Sequence, residues 1–241
     1  MNLENLKNEL KNTYKERIEL HAHTSPVSGC SEIAPKEIID IYKECGYNGI
    51  VITNHFNFMG ERFTRDEYLD YYLKDFEEAK EYGESLGIKV ILGAEIRFTE
   101  NNNDYLIYGV NREILKDIYD LLPYGIENFR KNYKMENSVF LQAHPFRDGM
   151  VKVDPKLLDG IEAFNLHAGH NSRVGQAALY AKEENLGIII AGSDFHHKNR
   201  NHEGLAALLT KEMPADSFAL ASLLKSKDYL LEVGRNNIIL I

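Results

Sequence analysis

The sequence predicts one α/β domain, a closed or nearly closed barrel of parallel strands covered by helices. Three observations carry that expectation. Short β-branched runs alternate with longer stretches of helical apolar spacing along the whole chain. The strand runs are apolar almost throughout, as strands covered on both faces are. About seven or eight such units follow one another, more than two small domains would hold. No Ser-, Gly- or Pro-rich linker, long charge block or low-complexity segment divides them, so residues 1–241 read as a single domain.

Leu3, Leu6, Leu10 and Tyr14 recur at helical spacing and predict a helix over 3–15, followed by a strand at 17–20. Pro35 stands where a helix begins, Ile38, Ile39, Ile41 and Tyr42 supply its apolar side, and Gly46 is its C-terminal cap. A strand at 49–53 leads to a long acidic helix over 65–86, which Gly87 stops, and then to a strand at 89–92. Residues 100–104 read as a short loop. A strand at 105–110 and a helix at 112–122 ended by Pro123 come next, then a helix at 126–135. Strands at 139–142 and 160–164 precede a helix over 173–185 and a strand at 188–191. A strand at 205–210, a helix at 215–224 and a strand at 229–233 complete the pattern, with 237–241 as a last strand or a contact between copies.

The composition is that of a soluble globular chain, 44% hydrophobic and 27% charged. The apolar run at 187–192 is too short to span a bilayer, and the N-terminus has no continuous apolar stretch of the signal-peptide kind. With two cysteines, Cys30 and Cys45, a disulfide framework is out and a reducing cytoplasm is the expected compartment. A net charge of −9 disfavours a broad cradle for long nucleic acid, whose phosphates call for surplus Lys and Arg. No P-loop or dinucleotide fingerprint is present.

The ionisable residues fall in a pattern. The predicted strands run into His21 and His23, into Asn54-His55, into Glu95, into His144, into His167, and into Asp194 with His196 and His197. In a parallel barrel all strand C-termini open on one face, where active sites are built. With His170 in the loop after His167, every His except His202 has a place there. His21 and His23 sit at i and i+2, as do Asp194 and His196, so an extended chain points each pair the same way. The carboxylate of Glu95 has two oxygens with which to bridge two cations. Imidazole mixed with carboxylate suits Zn, Mn or Fe better than Ca or Mg.

These residues resemble the PHP (polymerase and histidinol phosphatase) superfamily of metal-dependent phosphoesterases. The motifs are His21-Ala22-His23-Thr24, Thr53-Asn54-His55 (with Asn54 where Asp is usual), Gly93-Ala94-Glu95, His144-Pro145 and Gly192-Ser193-Asp194-Phe195-His196. The resemblance implies a distorted, TIM-like (β/α)7 barrel and two or three divalent or trivalent metal ions. By it, His21, His23, Glu95 and Asp194 hold one ion, Glu95 and His144 a second, and His55 and His196 a third. The chain departs from the pattern at Ser28-Gly29-Cys30, and again before His144, where it offers Asp104, Tyr105 or Tyr108. Cys30, His167, Asp104 or water are the candidates to fill those places.

The activity this implies is hydrolysis of a phosphate ester of a small molecule by a metal-bound hydroxide. Arg97, Arg147 and Arg173 are the candidate phosphate-binding cations, Arg147 with a catalytic part in stabilising the phosphoryl group, and His167 is the candidate acid for the leaving group. Two other readings stand beside it: a phosphodiesterase or nuclease, with Phe56, Phe58 and Phe63 as stacking residues or barrel-rim packing, and a non-catalytic metal-binding domain. Tyr68, Tyr71 and Tyr72 read as a packing or rim surface and Cys45 as buried filler. Nothing in the pattern selects an oligomeric state.

Overall fold

A computed structural model describes residues 2–198 and 203–240, so His202 and Ile241 lie outside the described residues. The helices follow their sequence signals. Helix α1 spans Leu3–Thr13, capped by Asn2, and α2 spans Pro35–Glu44, with Pro35 in its first turn and Gly46 beyond it at φ 75°. Helix α3 spans Arg65–Leu86; Thr64 and Glu67 close a capping box at its start, and Gly87 ends it in the left-handed conformation. Helix α4 is Arg112–Leu121, and Pro123 lies within a single 3-10 turn, Leu122–Tyr124, ahead of α5, Gly125–Asn132. Helices α6, Val174–Glu183, and α7, Ser217–Ser226, complete the set.

The strands form two six-stranded sheets. The first contains β1 (Glu16–Ala22), β2 (Gly49–Ile52), β4 (Lys89–Leu92), β10 (Ala206–Thr210), β11 (Leu230–Val233) and β12 (Asn237–Ile239), in the order β12-β11-β10-β1-β2-β4. The second contains β3 (His55–Asn57), β5 (Ala94–Arg97), β6 (Asp104–Tyr108), β7 (Val139–Gln142), β8 (Gly160–Asn165) and β9 (Ile188–Gly192), in the order β3-β5-β6-β7-β8-β9. The α/β class holds, but the expected all-parallel sheet does not. β6 is antiparallel to both β5 and β7, and β10 is antiparallel to both β1 and β11. Only the short segment 98–103 joins β5 to β6, and a parallel crossover needs a dozen or more residues. Neither sheet closes on itself. The two meet where β2 and β4 pass through Asn54 and Gly93 into β3 and β5, and where Ala22 bridges Phe195 just beyond β9. Between the sheets lies an apolar core that includes Leu20, Val51, Leu106, Leu141 and Ile190, with Leu220 and Leu224 of α7 packed into it. Among the described residues no helix is long and apolar enough to cross a membrane.

Candidate metal centre

The ends of β1, β2, β4, β7 and β9 bring the candidate ligands together. His21 Nε2 and His23 Nε2 lie 3.1 Å apart, so the i, i+2 pair does share a face. Asp194 Oδ1 stands 3.5 Å from the first nitrogen and 3.4 Å from the second. Glu95 contacts four imidazoles: Oε1 is 3.3 Å from His21 and 3.1 Å from His144, and Oε2 is 3.4 Å from His23 and 2.8 Å from His55. Asp194 and His196 also converge, at 3.3 Å. They do so through a left-handed turn at Asp194 (φ 49°) rather than through strand alternation; His144 (φ 28°) is similarly turned. Such backbone costs about 1–3 kcal/mol per residue and persists where its surroundings hold it. Three triplets place one ligand atom per residue all within 4.8 Å of one another: His21, His23 and Glu95; His23, His55 and His196; and His55, Glu95 and Asp104.

Asp104, expected at the end of a loop, opens a strand instead. It is the first residue of β6, and because β6 runs against its neighbours its beginning lies where the others end. Its Oδ2 is 3.8 Å from His144 Nε2. Arg97 grips both its oxygens, from Nε and Nη2, at 2.7 Å each.

A second layer of groups aims the first. Buried Glu162 accepts from His21 Nδ1 at 2.8 Å with one oxygen; with the other it accepts the amide N–H of His144 at 3.1 Å and Asn165 Nδ2 at 2.9 Å. An Nδ1–H given to Glu162 leaves a lone pair on His21 Nε2 pointing at the cluster. Asn165 also donates to Asp194. Ser28 Oγ lies 3.2 Å from His23 Nδ1, donates to Asn54 Oδ1 and accepts the His55 amide N–H, so Ser28-Gly29-Cys30 begins with a clasp. Glu19, which accepts the amides of His21 and Ser193, is pushed by burial up to about 7 despite those bonds. Glu162, Asn165, Ser28, Asn54 and Glu19 were not singled out for this work. A carboxylate inside an apolar strand, as in Gly160-Ile161-Glu162-Ala163, was the signal available.

The titration behaviour fits a cation cluster. Burial drives the His21 and His55 rings down, yet the carboxylates around them, Glu162 and Asp194 for His21 and Glu95 for both, hold them well above the ordinary imidazole value. His23 is held well below it by burial and by the facing His196 and His55. Burial alone would raise Glu95 and Asp194, but the neighbouring imidazoles, His55 and His21 foremost, hold both carboxyls well below the usual range. Among the described residues Glu95 Oε2 accepts no well-directed hydrogen bond, although His55 Nδ1 lies 2.8 Å from it. Buried acceptors and imidazole lone pairs facing one another are what a bound cation satisfies, in place of ring protons. The nitrogen and oxygen donor set suits Zn, Mn or Fe.

The remaining candidates are not all brought to this cluster. His167 is buried and stacked on His170 at 3.7 Å between ring centres; its Nδ1 accepts the Gly169 amide N–H, which places the proton of a neutral ring on Nε2. His170 Nδ1 is 3.4 Å from Asp194 Oδ2, whereas His197 turns to Glu32. Arg147 and Arg173 line a cavity of about 350 Å³ beside the 145–150 loop, whose wall includes none of the cluster's ligands. Arg173 is committed within it to Asp148 and the Phe146 carbonyl, whereas Arg147 makes no ion pair among the described residues. The exposed Cys30 thiol would be raised by burial, but the His196 and His55 rings beside it bring it down to about 6.

The sequence model of the PHP domain matches residues 19–233. The chain belongs to the PHP family. Its fold is similar to that of a two-domain protein from Bacteroides vulgatus described as containing a predicted PHP-like metal-dependent phosphoesterase, at 17% identity and a TM-score of 0.63. That likeness covers 91% of this chain and 65% of the other, so the PHP chain spans about two thirds of that protein. Looser likenesses link it to a candidate metal-dependent phosphoesterase from Bifidobacterium adolescentis (16% identity, TM-score 0.48, 75% of this chain and 88% of that one). An amidohydrolase from Chromobacterium violaceum with bound sulfate is as distant (14% identity, TM-score 0.49, 76% and 89%). No curated protein matches the PHP chain.

Proposed function

We propose that this PHP domain hydrolyses a phosphate ester of a small molecule, as a single domain, using two or three ions of Zn, Mn or Fe. His21, His23, Glu95 and Asp194 would hold one ion, Glu95, His144 and Asp104 a second, and His55 with His196 a third. The observation that carries the reading is the buried Glu95 carboxylate, placed within 3.4 Å of four imidazoles. Bound metal ions supply charge for the phosphoryl oxygens and acidify water.

The side chains do the rest. Glu162 and Ser28 fix the ring orientations of His21 and His23, and Arg97 fixes Asp104. Arg147, free of ion pairs among the described residues, is the cation for the phosphoryl oxygens. As the bond from water oxygen to phosphorus forms, the attacking water gives up a proton, the ester P–O bond breaks and the leaving oxygen takes a proton from solvent; the neutral His167 ring, its Nδ1 held by the Gly169 amide, would hydrogen-bond that oxygen through Nε2–H and keep its own proton. The surplus of acidic residues argues for a small substrate over long nucleic acid.

The double variant H21A/H23A tests this. It should keep the wild-type circular dichroism, lose bound metal by elemental analysis, and lose at least about 100-fold in metal-dependent hydrolysis of p-nitrophenyl phosphate, the scale expected when a metal is removed from a hydrolytic site. Unchanged turnover in a folded, metal-poor variant would refute the proposal.

A further inference from the structure

Beside the metal cluster lies a cleft of about 370 Å³, within the size range of small-molecule sites. His55 belongs to both: Nδ1 faces Glu95, and the same residue lines the cleft wall. The opposite walls are apolar and aromatic, formed by Val27, Met59, Phe63, Tyr68 and Tyr71.

This wall is braced rather than loose. Phe63 stacks on Tyr71 at 5.6 Å between centres with 20° between planes. Tyr71 donates its hydroxyl hydrogen to the Pro26 carbonyl at 2.7 Å, tying α3 to the loop that carries Ser28 and Cys30. The Asn57 amide donates to the Tyr68 hydroxyl at 3.0 Å. Of the three phenylalanines after His55, Phe56 is buried in the core and Phe58 leans on Tyr119, so Phe63 alone of them lines the cleft. Arg62 stands exposed at the cleft, its guanidinium 5.7 Å from the Phe63 ring centre.

We infer that this cleft receives the organic part of the substrate, and that the part is a flat aromatic group. The inference rests on the phosphatase reading above and adds its substrate class. An ester whose phosphate lies at the metal ligands has His55 between phosphate and cleft, so its leaving group extends along Phe63 and Tyr71. Aromatic walls favour a flat ring.

Two esters with leaving groups of similar basicity, 2-phenylethyl phosphate and ethyl phosphate, test the assignment in metal-loaded protein. The wild type should favour the aromatic ester at least tenfold in kcat/KM. Phe63→Ala and Tyr71→Ala should each lower that ratio at least fivefold, while Tyr124→Ala, on an exposed side chain elsewhere, should not change it. A wild-type ratio near one, or a ratio indifferent to both cleft variants, overturns the inference. Calorimetry with benzylphosphonate reads the cleft without turnover. Wild type should bind it at least fivefold tighter than Phe63→Ala, and equal affinities overturn the cleft assignment. If that difference is found while no ester is cleaved, the cleft stands and the phosphatase reading falls.

Discussion

Glu95 and Glu162 divide the carboxylate work at this site. Glu95 turns both oxygens toward imidazole nitrogens that have metal-ligand character, whereas Glu162 is fully buried behind His21 and reaches the cluster only through other residues. It binds one ligand by its ring and another by its backbone, and the second bond supports the left-handed His144. Glu162 is therefore a positioning residue for both. Replacement by Gln keeps the volume but offers His21 Nδ1 and the His144 amide one acceptor oxygen instead of two. Glu162→Gln should weaken metal affinity about 10- to 100-fold, the usual effect of losing a partner behind a ligating His. Titration with Co(II), followed by the visible absorption of the bound ion, measures it; an unaltered binding curve would show that His21 holds its orientation without Glu162.

At the scale of elements, the sheet around β1 depends on a charge pair on its outer side. Glu232 of β11 lies 2.8 Å from Arg17 Nε of β1 and 3.5 Å from Lys11 of α1, and it accepts the Asn236 amide N–H at 2.7 Å. Burial pushes its carboxyl up, but Arg17, the Asn236 bond and Lys11 together bring it below the ordinary 4.5. A carboxyl with a depressed folded-state value stabilises fully above its unfolded value, and loses that contribution as pH falls through the folded one. Glu232→Gln should therefore cost about 1–3 kcal/mol near neutral pH, as for a hydrogen bond to a charged group. The gap between wild type and variant should narrow below pH 4.5 in urea melts; a gap that is constant from pH 7 to 3 would mean that packing, not charge, sets the cost. The helices were legible because their punctuation is local: Pro35, Thr64 and Gly87 mark boundaries within a few residues of themselves. Strand direction was not, since it depends on the length of the connection and on which edge is open. That is why β6 was read as one more parallel strand and Asp104 as the end of a loop. β3 and β5 were hidden for another reason, their polar members (His55, Asn57, Glu95, Arg97) masking the apolar pattern of a strand. The ligand-type residues themselves stood out at the strand ends, whereas their buried supports did not, because a lone Glu or Asn in a strand has no distinguishing spacing.

For the molecule as a whole, the seam between the two sheets governs both stability and the site. On one side, β1 passes its last residues to the end of β9: the His23 amide donates to the Phe195 carbonyl, and the Phe195 amide to that of His21. Gly192, the last residue of β9, lies within this seam. A Cβ there would come 2.3 Å from Glu162 Oε1 and 2.5 Å from His21 Cβ, closer than atoms pack. The absence of a side chain at Gly192 is thus what allows Glu162 and His21 to meet. Gly192→Ala should force the couple apart, lowering thermal stability by about 1–3 kcal/mol through overpacking and weakening metal binding in the same variant. Gly175, in α6, has open space where its Cβ would go, and Gly175→Ala should be neutral or stabilising, since Ala is favoured over Gly inside a helix by roughly 1 kcal/mol. Thermal melts of both variants with and without added Co(II) separate the effects. The metal-induced rise in Tm should be reduced in Gly192→Ala and intact in Gly175→Ala; a full rise in Gly192→Ala would show that the sheets can shift at this seam without disturbing the ligands.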